Sequence, residues 1–243
     1  PVTGAQNIDG FNLYFHEDGR QAKNEIVTIN GDSYYFDKDN GRRVTGLYYV
    51  DGANHKYSGY YYFDKDGKMV KDDFVTENGN TYYFDATGYQ PNFVFVSDKA
   101  GNWYYMSDFK ATKGFSGTMR FSTTFIDRSQ AHNKTITKEL YGEQYYFDPK
   151  TGIMVTNRYI SDDQGSWYYF GPNWYALTGE QTIDNVPVYF HSNGKQAKGE
   201  LVTVDGKIHY YDANSGARLS NIDITIKGQT YHFDADGNGT LIS

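Results

Sequence analysis

A block of 44 residues, Thr3 to Gly46, returns at Thr178 to Asn221 with 20 positions identical at a constant offset of 175. The shared set includes Tyr14/Tyr189, Phe15/Phe190, His16/His191, Gly19/Gly194, Gln21/Gln196, Ala22/Ala197, Lys23/Lys198, Glu25/Glu200, Thr28/Thr203 and Tyr35/Tyr210. Internal self-similarity of this kind points to a repeat architecture in place of one closed core. Between and after the two blocks a shorter beat continues, an aromatic pair followed by Asp or a turn. Its second residues are Phe15, Phe36, Phe63, Phe84, Met106, Phe147, Phe170, Phe190, Tyr211 and Phe233, spaced 20 to 27 apart with one gap of 41. Thr124-Phe125-Ile126-Asp127 divides that gap, which makes eleven units.

The material of the repeat is aromatic. Rings make 18% of the chain while hydrophobic residues reach only 38%, so apolar area comes from Tyr and Phe more than from an aliphatic core. With 26 Gly and 5 Pro, long helices are disfavoured and short strands joined by turns are favoured. In Thr81-Tyr82-Tyr83-Phe84-Asp85, alternation sets Tyr82 and Phe84 on one face, predicted buried, and Tyr83 and Asp85 on the other. A tight hairpin turn is predicted at the following Gly, as in Asp64-Lys65-Asp66-Gly67, with a second short strand after it. One such hairpin buries too little to stand alone, so units must stack. The expected fold is all-β, an elongated β-solenoid of stacked β-hairpin repeats of about 21 residues, a single repeat domain over 1–243. Between Ser107 and Leu140 the beat weakens, and an irregular unit or long loop is expected there.

Only the two long blocks hold Gln and Lys together after the turn Gly, as Gln21-Ala22-Lys23 and Gln196-Ala197-Lys198. Other units carry Arg43 and Thr45, Met69 and Lys71, Gln90 and Asn92, or Met154 and Thr156 there. A spacing of two puts Gln and Lys side by side, a polar fork offering an amide and an ammonium. Tyr14 and Tyr189 add a flat ring. A pyranose, with one apolar C–H face and a rim of hydroxyls, matches a ring beside a polar fork. The competing structural reading makes Gln and Lys a solvated strand face and Tyr a packing residue between units.

The residues Thr178-Gly179-Glu180-Gln181-Thr182-Ile183-Asp184, Val188-Tyr189-Phe190, Asn193-Gly194-Lys195-Gln196-Ala197-Lys198-Gly199 and Tyr210-Tyr211-Asp212-Ala213-Asn214-Ser215-Gly216 resemble the long repeat of the glucan-binding domain, domain V, of glucansucrases. These are secreted sucrose-dependent glucosyltransferases, dextransucrase-like enzymes of glycoside hydrolase family 70. Thr3 to Gly46 is similar, and the shorter Tyr-Tyr-Phe-Asp units resemble cell-wall-binding-type repeats. The resemblance implies a non-catalytic module that binds α-glucan such as dextran or isomaltooligosaccharides, attached to catalytic domains of a parent chain and located outside the cell or on its surface. It implies one sugar pocket from Tyr14, Gln21, Lys23, Thr28 and Tyr35 and a second from Tyr189, Gln196, Lys198, Thr203 and Tyr210. Asn24 stands opposite Gly199, and His209 and Tyr211 opposite Tyr34 and Phe36, so a different loop shape is expected in the first block and different stacking in the second.

Other partners fit less well. A net charge of −7 disfavours nucleic acid and anionic membrane, and no apolar run is long enough to insert in a bilayer. Cysteine is absent, so no disulfide or thiolate metal site is expected, and no cofactor is implied. A chain opening at Pro1 without Met or leader reads as a piece of a longer protein. Related aromatic solenoids cage choline between Trp and Tyr, but Trp103, Trp167 and Trp174 do not recur per unit. A ligand-free structural spacer is the third reading. Asp37, Asp64, Asp85 and Asp148 sit at turns, where bonding to the local backbone accounts for them better than glycosidic catalysis. The recurring His16 and His191 lack a recurring nucleophile and read as structural. Asp234-Ala235-Asp236-Gly237 mimics the start of a calcium loop but is also an ordinary turn.

Overall fold

The computed structural model describes residues 2–51, 58–119, 122–130 and 133–243. Two compact units emerge: one of Pro1–Lys113, Ser122–Glu139 and Pro149–Ile153, the other of Gly114–Phe121, Leu140–Asp148 and Met154–Ser243.

The first unit opens with β1 (Gly4–Ile8), β2 (Phe11–Phe15), β3 (Glu25–Ile29), β4 (Asp32–Phe36), β5 (Gly46–Val50), β6 (Gly59–Phe63), β7 (Asp73–Glu77), β8 (Asn80–Phe84), β9 (Val94–Ser97) and β10 (Trp103–Ser107). Each odd strand pairs antiparallel with the next. There follow β11 (Lys110–Ala111), β12 (Gly114–Met119), β13 (Ser122–Asp127), β14 (Lys134–Glu139) and β15 (Glu143–Phe147). In the second unit come β16 (Arg158–Ser161), β17 (Trp167–Phe170), β18 (Gly179–Ile183), β19 (Val186–Phe190), β20 (Glu200–Val204), β21 (Lys207–Tyr211), β22 (Ile222–Ile226), β23 (Gln229–Phe233) and β24 (Gly239–Leu241). The fold is all-β, and within each unit the hairpins stack as the repeats of a β-solenoid.

Every one of the ten aromatic pairs lies in the second strand of its hairpin, and this corrects the expected turn. The tight turn precedes the aromatic strand. Asp9-Gly10, Asn30-Gly31, Asn78-Gly79 and Asp205-Gly206 form two-residue loops with φ between 49° and 90° at both positions, the geometry that suits the twist of paired strands. After the aromatic strand comes a different turn, closed by Asp. In the third repeat Asp64 Oδ1 accepts the amides of Asp66 and Lys68, at 2.8 and 2.9 Å, and the Gly67 amide donates to the Asp64 carbonyl at 2.9 Å. The strand expected beyond it shrinks to one bridge, Phe63 with Met69.

That bridging residue joins consecutive repeats. Its amide crosses to the hairpin before: Arg43 to the Asn12 carbonyl, Met69 to Ser33 and Gln90 to Tyr60 in the first unit, and Ala176 to Gln144, Gln196 to Trp167 and Arg218 to Pro187 in the second, all at 2.7 to 3.1 Å. Its side chain packs beneath the glycine of the following turn. A Cβ on Gly41, Gly67, Gly88 or Gly216 would run into Gln21, Arg43, Met69 or Gln196. Gly216→Ala therefore meets both a left-handed φ of 72° and the Gln196 amide, whereas Gly206→Ala at φ 80° meets open space. We expect Gly206→Ala to lower stability by about 1–2 kcal/mol and Gly216→Ala by more, read from urea midpoints at constant slope.

Phe63, Phe84, Phe147, Phe170, Phe190 and Phe233 are fully buried, as the inward face requires. Burial does not follow strict alternation. Tyr83, expected on the open face, is 1% exposed while Tyr82 is only half-buried. The next repeat covers the second face, so Tyr83 packs with Val96, Met106 and Ala111 and donates to Asp72 Oδ1 at 3.0 Å.

The eleventh beat is a second correction. Thr124-Phe125-Ile126-Asp127 lies in β13, which pairs with β14 and runs parallel to β9, giving the sheet order β11-β10-β9-β13-β14. Phe125 stacks on Phe95 with centroids 4.5 Å apart and planes 5° from parallel. It adds a strand to an existing hairpin, and the repeat at this place is made by β12 with β15. Within 107–140, residues 120–121 and 131–132 lie outside the described residues.

Candidate functional site

The two long blocks, one in each unit, have matching local geometry. Tyr14 meets His16 edge to face at 5.5 Å and 82°, and Tyr189 meets His191 at 5.6 Å and 82°. His16 Nε2 lies 2.8 Å from Glu25 Oε1, and His191 Nε2 lies 2.9 Å from Glu200 Oε1, so both histidines brace the turn to the next hairpin. Burial pushes the Glu25 carboxyl up, but hydrogen bonds and charge from His16 and Arg20 outweigh it and hold the group below the usual range.

The polar fork faces the next turn in both blocks. Gln21 Nε2 donates to the Asn40 carbonyl at 3.2 Å and Lys23 Nζ to the Asp39 carbonyl at 2.9 Å. Gln196 Nε2 donates to Ser215 at 3.3 Å and Lys198 Nζ to Asn214 at 2.8 Å. Gln and Lys thus grip successive carbonyls of one loop, and each retains capacity: the amide its Oε1, the ammonium two further N–H groups. Lys198 also sits 5.1 Å over the ring of Trp167. The expected difference in loop shape is not found where Asn24 replaces Gly199. Both adopt left-handed φ, 50° and 66°, and both amides bond the end of the following hairpin. Nor do the ring stacks differ: Tyr14–Phe36 and Tyr189–Tyr211 are 6.0 and 5.9 Å apart, each at 39°. The second block differs at His209, whose Nδ1 lies 2.7 Å from the Gly237 carbonyl.

The remaining site residues are not equivalent. Tyr14, Gln21, Tyr189, Lys198 and Tyr210 are half-buried, Lys23, Thr28 and Thr203 are exposed, and Gln196 is buried. Tyr35 is 1% exposed, donates to Asn24 Oδ1 at 2.8 Å and stacks on Phe63. Burial, with the charges of Asp37, Asp51 and Asp39, pushes its phenol up to about 12. Its ring is closed to a ligand, so its part in a site runs through Asn24. Tyr210 keeps an open side against solvent because no equivalent of Tyr48, which leans on Tyr35 at 5.4 Å, follows it.

Gln90, which lacks a lysine two residues on, is not marked by the sequence pattern. Its Nε2 donates to the Phe109 carbonyl, again 19 residues ahead, which makes it a third copy of the glutamine tie without the lysine. Of the turn aspartates named from the sequence, Asp37, Asp64 and Asp85 accept local backbone amides, and Asp212 and Asp234 do the same. Asp234 does so in the same way as Asp64, so the calcium-like string is one more repeat turn.

Models of the choline-binding repeat match residues 2–48, 44–91 and 177–222, more than half of the chain. The chain belongs to the choline-binding repeat family. A cell wall binding repeat model also matches 95–108 and 224–238. Along its length the chain is homologous to streptococcal glucosyltransferases. It is 36% identical to Glucosyltransferase-I of Streptococcus downei over 97% of this chain, and 33% identical to Glucosyltransferase-S of Streptococcus mutans over 92%. It spans only 16% and 14% of those relatives, and the shared segment is the one that carries the repeats. Among solved structures, the modular autolysin LytC from Streptococcus pneumoniae has the same fold, with a TM-score of 0.68 at 19% identity over 98% of this chain and 46% of that one. The choline-binding domain of CbpL from Streptococcus pneumoniae follows at 0.60 and 22%, over 90% and 98%.

Proposed function

We propose that this choline-binding-repeat chain is a non-catalytic α-glucan-binding module of a secreted or surface-held glucosyltransferase, with one sugar site on each long block. Homology to glucosyltransferases over nearly the whole chain carries the reading, because it joins these repeats to enzymes named for glucosyl transfer. The matched forks support it. In each site the half-buried Tyr14 or Tyr189 would stack on a glucose ring, while Gln Oε1 and the spare Lys protons bond hydroxyls beside exposed Thr28 or Thr203. The turn carbonyls would hold the fork in place, Tyr35 would brace Asn24 beside it, and the open side of Tyr210 would offer a further ring to the second site. Each site should be weak, and two on one chain would lengthen residence on a polymer through effective concentration.

No ion pair forms with a neutral glucan, so affinity for dextran should change less than about twofold between low and high salt. Equilibrium retention on immobilised dextran measures this, and loss of retention on adding salt would contradict it. Choline is the second reading, favoured by the family match. Against it, the exposed face of Trp167 already carries Lys198. Choline that displaces the chain from dextran would favour that reading.

A further inference from the structure

Apart from both long-block sites, a groove of about 640 Å³ lies in the first unit. Its floor is the ring pair Phe74 and Tyr104, whose centroids lie 4.9 Å apart. On its rim stand Thr76 and Thr81, opposite each other on β7 and β8 with hydroxyls 3.3 Å apart. One wall holds Arg128, from the inserted β13–β14 hairpin. No residue of either Gln-Ala-Lys block contributes.

We propose that this groove, walled on one side by Arg128 of the inserted hairpin, is a third sugar site that takes a neutral hydroxylated chain, an α-linked glucose oligomer if the reading above holds. The volume falls in the range of about 300–1,000 Å³ found for small-molecule sites. The floor supplies an apolar ring face, and the threonines supply hydroxyls that donate and accept.

Charges of both signs line the groove, Asp73 and Asp98 with Lys99, Arg128 and Lys150. Asp98 is spent on its own turn: Oδ1 accepts the amides of Ala100 and Asn102, and Oδ2 accepts Asn102 Nδ2 and the Tyr104 hydroxyl. Asp73 lies 3.9 Å from Arg128. The Arg128 guanidinium lies 5.5 Å over the Phe74 ring. Arg128 itself is a positioning residue. Its side chain is 1% exposed and bonds Asp72 through Nε at 2.9 Å, so it fixes the Phe74 ring without reaching solvent. A buried ion pair adds little stability over apolar packing, and orienting a ring is a use that fits its cost.

The test uses the whole chain and dextran in native gels. A chain carrying Gln21→Ala and Gln196→Ala should keep a residual retardation. Adding Thr76→Arg, an exposed change that fills the rim, should cut that residual affinity at least about fivefold, a difference of about 1 kcal/mol. With isomaltotriose, the amide resonances of Phe74, Thr76 and Tyr104 should shift in the unaltered chain and stay still in Thr76→Arg. A double variant with no residual, beside an unaltered chain that binds, overturns the third site and leaves the proposed function standing. A residual that survives Thr76→Arg also overturns it. An unaltered chain that ignores dextran and isomaltotriose overturns both.

Discussion

Asp72→Asn should lower the stability of the first unit by roughly 3 kcal/mol, the low end of what breaking a buried ion pair costs. The substitution keeps the shape of the side chain and suits the left-handed φ of 46° at this position, so charge is the main loss. Asp72 is the hub of the inserted hairpin. Its Oδ1 accepts Arg128 Nε and the Tyr83 hydroxyl, its Oδ2 accepts Asn133 Nδ2 at 2.9 Å, and its carbonyl bonds Arg128 Nη2. Arg128 is almost fully buried against the rings of Phe74 and Tyr83, and Asp73 at 3.9 Å would be the one carboxylate left to it among the described residues. Asp72 is itself 31% exposed, which is why the low end applies.

The same group sets an acid limit. Burial raises the Asp72 carboxyl, but bonds from Asn133 and Tyr83 and the charge of Arg128 outweigh it and leave its pKa lowered. A carboxyl lowered in the folded state stabilises above its unfolded pKa, about 3.9, and loses that contribution as pH falls through the folded value. Stability of the unaltered chain should therefore fall below about pH 4, and Asp72→Asn should flatten that limb. Urea titrations at neutral and acid pH measure both effects; an unchanged acid limb in Asp72→Asn would contradict the assignment.

Phe190→Ala should cost about 3–5 kcal/mol, the range for emptying a packed Phe site. Phe190 is fully buried, packs with Ile183, Val188, Tyr159, Tyr169 and Leu177, and ends β19 where the chain bridges to Gln196. Since repeats interact chiefly with their neighbours, the loss should fall on the second unit. Hydrogen exchange should show protection lost in β16 to β21 and kept in β3 to β8. Uniform loss over the chain would contradict stacking by neighbours.

These two positions differ in how far the sequence exposes them. Phe190 is legible because the aromatic beat repeats and its inward face must be buried in every unit. Asp72 and Arg128 are not, since Arg128 sits in a polar stretch and meets Asp72 across 56 residues of chain. Likewise nothing local in Phe125 says that it will run beside Phe95. The hairpin turn is written in the sequence as Asn30-Gly31 and Asp205-Gly206, a strong short-range signal, but the Asp-x-x-Gly string on the other side of the aromatic strand reads as a turn as well. Alternation names two faces of a strand without saying what covers each, so it cannot tell that the next repeat buries Tyr83. At the site, the sequence shows that Gln and Lys are restricted to two blocks. It does not show that the bridging position reaches the next turn, because the partners of Gln21 and Gln90 lie 19 residues ahead.

The most direct test of glucan binding is retardation of the unaltered chain by dextran in native gels, beside Gln21→Ala, Gln196→Ala and the double variant. Truncating either Gln removes a tie to the next turn and a hydroxyl acceptor, and each should weaken retardation severalfold. The double variant should lose at least about tenfold while its melting transition stays cooperative. Full retardation of a folded double variant would contradict the long-block sites, and an unaltered chain that migrates the same with and without dextran would contradict glucan binding itself.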